Sequence, residues 1–234
     1  MSTALVLALT LATTAATTYF VGSYTLRATE ERLQARAAAL ARTIDQRLRI
    51  YKAALHTVAE SYSLRVEFDL SIVEWEARRV GDLFGGWFVL SSSGDTMEIL
   101  MSTADAEGTL PPSEPRTNYP EVMRAEAEST RTGRAVVSDA FEGRIKDELA
   151  ITIAKPVEIP TVPTGFMYFS VSLRDITEWM AETALEEDEF AGLADSTRRV
   201  IARSHIITPD TAVGRVNHVL KSLSMREYFS NLLS

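Results

Sequence analysis

Three histidines, 32 Asp and Glu residues and no cysteine are the main side chains from which this 234-residue chain would have to build a reactive centre. Without cysteine there is no thiol nucleophile, no disulfide and no thiolate zinc site. His56 falls inside a long helical stretch, and His205 and His218 share no ligand spacing with an acidic neighbour, so no metal centre is expected. Ser91-Ser92-Ser93-Gly94 lacks the strand–elbow–helix setting of a nucleophile turn. Gly81, Gly85 and Gly86 follow a helical pattern instead of opening one, so they do not form a phosphate cradle. The run Glu186-Glu187-Asp188-Glu189 reads as a solvated helix end. The expectation is a chain with no catalytic residue, no metal and no cofactor.

Binding chemistry is better supplied. Arg116 and Tyr119 stand near the end of a proline-rich stretch and form a donor and aromatic pair suited to a small anion or carboxylate. The plainer reading leaves Arg116 exposed and Tyr119 filling the core. Ser138 and Asp139, in a strand-like segment, offer polar groups for a ligand amine or a turn cap. Met101, Phe88 and Tyr168 are candidates to line a pocket or simply to pack the core.

These residues need elements to position them, and one stretch organises the rest. From Thr25 to Tyr62 the larger side chains Leu26, Leu33, Ala37, Leu40, Ile44, Leu48, Tyr51, Leu55, Val58 and Tyr62 recur, after the first step, at steps of three or four. That spacing is the seam of an amphipathic helix about 55 Å long. Residues 3–26 before it carry no charge and are long enough to cross a hydrocarbon core. Arg27, Arg32 and Arg36 follow this span with no Lys or Arg before it, the reverse of the positive-inside pattern. Val21-Gly22-Ser23 also offers a cleavage site, which would make the product a secreted binding protein.

Downstream, Asp69 to Leu83 predicts a second helix stopped by Gly85-Gly86. Trp87 to Thr103 predicts a β-hairpin, and Ala104 to Pro120 is too broken by proline for regular structure. A helix is expected over Glu121–Thr130. Strands are expected over Arg134–Phe141, Glu148–Val157 and Gly165–Leu173, giving five in all. An acidic helix over Arg174–Glu189 and a hairpin at Phe190–Ala194 and Arg199–Ala202 follow. The class is α+β. A composition of 46% hydrophobic and 24% charged residues is that of a folded chain, and a net charge of −8 argues against a nucleic-acid partner.

A hydrophobic span, a long helix, a second helix and a PAS-like antiparallel sheet resemble the Cache type of extracytoplasmic sensor domain, as found on sensor histidine kinases. The matching words are Gly86-Trp87-Phe88-Val89-Leu90, Thr132-Gly133-Arg134-Ala135-Val136-Val137-Ser138-Asp139, the strand Gly165–Leu173 and Arg199-Val200-Ile201-Ala202-Arg203-Ser204. Arg198 stands where the last of these usually has glycine, and Val213-Gly214-Arg215 fits the next short motif. The resemblance implies a membrane anchor over 1–26, a sensor domain over 27–173, and a helix with an incomplete second PAS-like unit over 174–234. It further implies a small-molecule ligand, a homodimer formed through the long helix, and a sensor domain in the periplasm or outside the cell. No transmitter motif occurs before Ser234, so the output domain is expected elsewhere.

Overall fold

The computed structural model describes the backbone of residues 2–104, 110–143, 145–146, 148–160, 162–182 and 191–204, and their side chains from residue 27 onward except 162 and 163. The chain divides into two compact units, Met1–Arg47 and Leu48–Ser234, with the boundary inside a single helix, α1 (Ser2–Ala59). The helix expected over Thr25–Tyr62 therefore starts earlier and ends three residues sooner. The expected span 3–26 lies in its helical backbone, and the side chains there fall outside the described residues. Among the described residues no helix is long and apolar enough to cross a membrane.

The chain leaves α1 through a π-helical turn, Ser63–Glu67, which Phe68 closes in the left-handed region at φ 50°. Asp69 then starts α2 (Leu70–Phe84), its carboxylate accepting the backbone N–H groups of Ser71 (2.9 Å) and Ile72 (3.3 Å). Gly85 stops it at φ 72°, donating its N–H to Gly81 O, as the glycine pair predicts.

The strands are β1 (Trp87–Ser92), β2 (Thr96–Met97), β3 (Ile99–Ser102), β4 (Glu114–Pro115), β5 (Val136–Val137), β6 (Phe141–Gly143), β7 (Glu148–Ile159) and β8 (Val162–Ser172). A six-stranded antiparallel sheet runs β3–β1–β8–β7–β5, with β6 also pairing β7. Helix α3 (Pro120–Thr132) is inserted between β4 and β5, and α4 (Leu173–Ala181) follows β8. A separate hairpin, β9 (Gly192–Ala194) with β10 (Val200–Arg203), lies within a residue or two of where the sequence places it. Residues 183–190, with the acidic run, and 205–234, with His205, His218 and Val213-Gly214-Arg215, lie outside the described residues.

Strand alternation gives the sheet two dry faces. Phe88, Leu90, Ile153, Met167, Phe169 and Val171 are buried on the first. The end of α1 covers it: the Tyr51 ring stacks on Phe169 at 4.9 Å, and Phe169 meets Phe88 edge-on at 4.9 Å. Trp87, Val89, Ile99, Phe166 and Tyr168 form a second core with Val122 and Ala125 of α3. Both faces are buried, which explains why β1 and β8 read as unbroken apolar runs.

Two expectations are corrected. The proline-rich loop is not without structure: β4 pairs with β2, and Arg116–Asn118 form a 3-10 turn. Two residues of edge strand suffice for Glu114 and Pro115, since an edge position needs no proline donor. The single strand over Arg134–Phe141 is two, β5 and β6, because Ser138 interrupts the ladder. Its hydroxyl accepts the N–H of Thr152 (3.0 Å) and donates to Asp139 O (2.8 Å).

At Gly86 an added Cβ would collide with the Phe169 ring and lie 2.7 Å from Ser170 O. Gly86→Ala should therefore lower stability by about 1–3 kcal/mol in urea unfolding, with the α1-facing aromatic cluster displaced.

Lys155, buried beside the end of α1, donates to Glu60 Oε1 at 2.6 Å and lies 2.8 Å from His56 Nδ1. The hydrogen bond from Lys155 holds the Glu60 carboxyl below its ordinary value of 4.5. A depressed folded value stabilises the protein above the ordinary range and is lost as pH falls through the lowered one. Stability should thus decline below about pH 4.5, and Glu60→Gln should flatten that decline. The effect in acid-titrated unfolding should be about 1 kcal/mol or less, because the Glu60 side chain is 38% exposed and its charge is screened by water.

Candidate functional site

On the second face, between the sheet and α3, the structure has a narrow cleft with about 60 Å³ of room. Its floor is Trp87 and Val89 of β1, Ile99 of β3, Thr152 of β7, and Tyr168 and Ser170 of β8. Tyr119, Val122, Phe141 and Ile145 close over it, and the Tyr119 ring meets Phe141 edge-on at 6.3 Å. The wall is almost wholly carbon. Tyr119, Phe141 and Gly143 also border a wider, open cleft of about 480 Å³ that includes Glu114, Glu121, Glu142 and Arg199.

Arg116 is not exposed, as the plain reading had it; it is 6% exposed behind the cleft. Its Nε donates to Gly94 O at 2.7 Å. One terminal nitrogen meets Glu126 Oε1 at 2.5 Å and Tyr168 Oη at 3.3 Å, and the other reaches Ser91 Oγ at 3.2 Å. The Tyr168 hydroxyl donates to Glu126 as well and lies 3.1 Å from Ser91 Oγ. Burial, then the charge of Glu126, push the Tyr168 phenol far up, so it stays protonated. The guanidinium therefore serves as an internal strut.

Of the other candidates, Tyr119 and Tyr168 do line the cleft. The Tyr119 hydroxyl donates to Glu114 at 3.1 Å. Met101 pairs with Leu90 and lies on the opposite face, as does Phe88, so neither reaches it. Ser138 and Asp139 sit at the β5–β6 bend. The Asp139 carboxylate accepts the N–H and the hydroxyl of Ser196, each at 2.8 Å, and pairs with Arg124 at 3.1 Å. Asp139 thus ties the bend to the β9–β10 turn, and neither residue lines the cleft. Among the lining residues that sequence reading missed, Trp87 and Val89 are same-face alternates of β1, and Ser170 is the same-face neighbour of the predicted Tyr168 on β8.

No protein-family model matches the sequence, and no curated protein matches it either. Solved structures do match by shape. The ligand-binding domain of the Pseudomonas aeruginosa amino-acid chemoreceptor PctC, in complex with GABA, aligns at TM-score 0.55 and 13% identity, over 78% of this chain and 77% of that one. That of Campylobacter jejuni Tlp3 with 4-methylisoleucine aligns at 0.52 and 13%, over 74% and 68%. That of Pseudomonas fluorescens CtaA with L-isoleucine aligns at 0.50 and 12%, over 75% and 66%. The fold is that of a Cache-type sensory domain. The chain spans about two thirds to three quarters of the length of these domains.

In this Cache-type fold the buried ion pair is a structural commitment. Removing one partner strands the other charge, so Arg116→Met or Glu126→Leu alone should cost about 3–5 kcal/mol in chemical denaturation. The double variant should recover most of that loss, and a double-mutant cycle reads the coupling directly.

Proposed function

We propose that this chain is the extracytoplasmic ligand-sensing input region of a transmembrane signal transducer, with a sensor histidine kinase as the expected transmitter. Residues 3–26 anchor it in the membrane, and α1 pairs with a second copy to form the rod that carries the signal. A small molecule is the stimulus. The observation that carries this reading is the apolar cleft between sheet and α3, in a fold shared with ligand-binding sensory domains. The cleft lies on one face of a sheet whose other face is packed by the end of α1. A ligand that binds two arrangements of the sheet unequally would shift the population of the helix with it. The absence of any nucleophile, base or metal signature in the sequence supports a binding role over a catalytic one.

The test is a thermal-unfolding screen of the full chain against a broad library of small metabolites, repeated on Val122→Phe. At least one compound should raise the midpoint of the parent in a concentration-dependent way, with about 2.7 kcal/mol of stabilisation at one hundred times its dissociation constant. The larger ring fills the cleft, so Val122→Phe should keep its circular dichroism and lose that shift. A shift retained in the variant would move the site elsewhere, and a screen with no stabilising compound would sink the sensing role.

A further inference from the structure

The charges at the closed end of the cleft are already answered by the protein itself. Arg116 spends its donors on Glu126, Gly94 O, Tyr168 and Ser91. Glu126 accepts from both Arg116 and Tyr168, and it is 7% exposed. The Tyr168 ring forms part of the floor while its hydroxyl points into this network. Neither Arg116 nor Glu126 lines the cleft, so a carboxylate or an ammonium entering it meets a wall of carbon and a charge pair that already answers itself. Lys146 rests 4.4 Å from the Trp87 ring, but it is exposed and its charge stays in water.

One polar feature remains on the wall. Thr152 and Ser170, paired across β7 and β8, place their hydroxyl oxygens 3.0 Å apart, and both line the cleft. Two hydroxyls that share a single hydrogen bond keep a second proton and spare lone pairs between them. The remaining protein partner is Phe169 O, 3.5 Å from Thr152 Oγ1, which is a weak contact. This pair can therefore give or accept one hydrogen bond with a guest. The room is small: about 60 Å³, at roughly 10–15 Å³ for each water-sized position, holds on the order of four to six heavy atoms.

We propose that the cleft selects a small uncharged molecule, a branched hydrocarbon body with one neutral hydroxyl, carbonyl or amide group set against Thr152 and Ser170. This rests on the sensing role proposed above and narrows its ligand class. The selection follows from the desolvation of a charge, which a wall of carbon and one hydroxyl pair does not offset. The branched end lies among Val89, Ile99, Val122 and Phe141, and the polar end marks the register.

The experiment is titration calorimetry of the full chain with five molecules, none above the roughly six heavy atoms that the cleft holds: 2-methyl-1-propanol, 2-methylpropanamide, 2-methylpropanoate and 2-methylpropylamine on one branched skeleton, and alanine as the zwitterion. The two neutral molecules should bind at least tenfold more tightly than the anion, the cation and the zwitterion. Ser170→Ala and Thr152→Val should each weaken the amide about five- to tenfold while leaving the unfolding transition cooperative. A charged analogue binding as tightly as the neutral pair would overturn the uncharged ligand class and leave the sensing role standing. Equal affinity of the amide for parent and both hydroxyl variants would overturn the assignment of the polar end. No binding by any of the five would overturn the inference outright, and the sensing role would then stand or fall on the wider screen.

Discussion

The ion pair between Arg116 and Glu126 is the constraint that the α3-covered face of the sheet is built around. A charge removed from water is tolerable only if every part of it is answered. Arg116 therefore draws together the Ser93–Asp95 turn, the 3-10 turn that it begins, helix α3 through Glu126, and strands β1 and β8 through Ser91 and Tyr168. Its own N–H adds a backbone bond to Asp95 O. A loop containing Pro111, Pro112 and Pro115 has few donors with which to hold itself to a sheet, and one buried guanidinium supplies them from the side chain. Tyr119 and the first turn of α3 are carried over the cleft as a consequence.

The second constraint is the alternation of the central strands. Tyr168 and Phe169 are neighbours in sequence, yet one ring floors the cleft and the other stacks on Tyr51 of α1. The two faces are thus linked through single backbone units of β8, with no intervening loop to absorb movement. Gly86 sharpens this link, because Phe169 and Ser170 close against its bare Cα. Small displacements on one face of a close-packed sheet have nowhere to dissipate except the other. The same geometry that makes the core dry on both sides ties the position of the cleft floor to that of the end of α1.

Much of this architecture was legible from residue patterns. The helix, its glycine stops, the strand-rich middle and the late hairpin follow from periodicity and turn chemistry, and their order carries the resemblance to the Cache-type sensor fold. The face assignments were not. Met97, Ile99 and Met101 alternate as though all three share one side, but the register slips between Leu90 and Ser91 and turns Ile99 toward the cleft while Met101 stays opposite. One extra residue in a strand inverts every face after it, and no local preference announces it. Ser138 likewise reads as strand, whereas its hydroxyl replaces a backbone partner and bends the chain.

Arg116 carries the sharpest lesson about sites. An arginine three residues before a tyrosine, at the end of a long loop, has the composition of an anion grip, and sequence alone contains no sign that Glu126 will reach it. Ten residues separate them, including the first turns of α3, so their meeting is decided by how that helix lands on the sheet. Once they meet, the same guanidinium changes role: four of its five N–H groups are spent inside the protein, its charge is answered by Glu126, and the cleft beside it is lined by carbon. The chemistry of this cleft is therefore set less by which side chains surround it than by which of them remain uncommitted. By that measure Thr152 and Ser170, two unremarkable hydroxyls in the middle of strands, say more about what can bind than the arginine does.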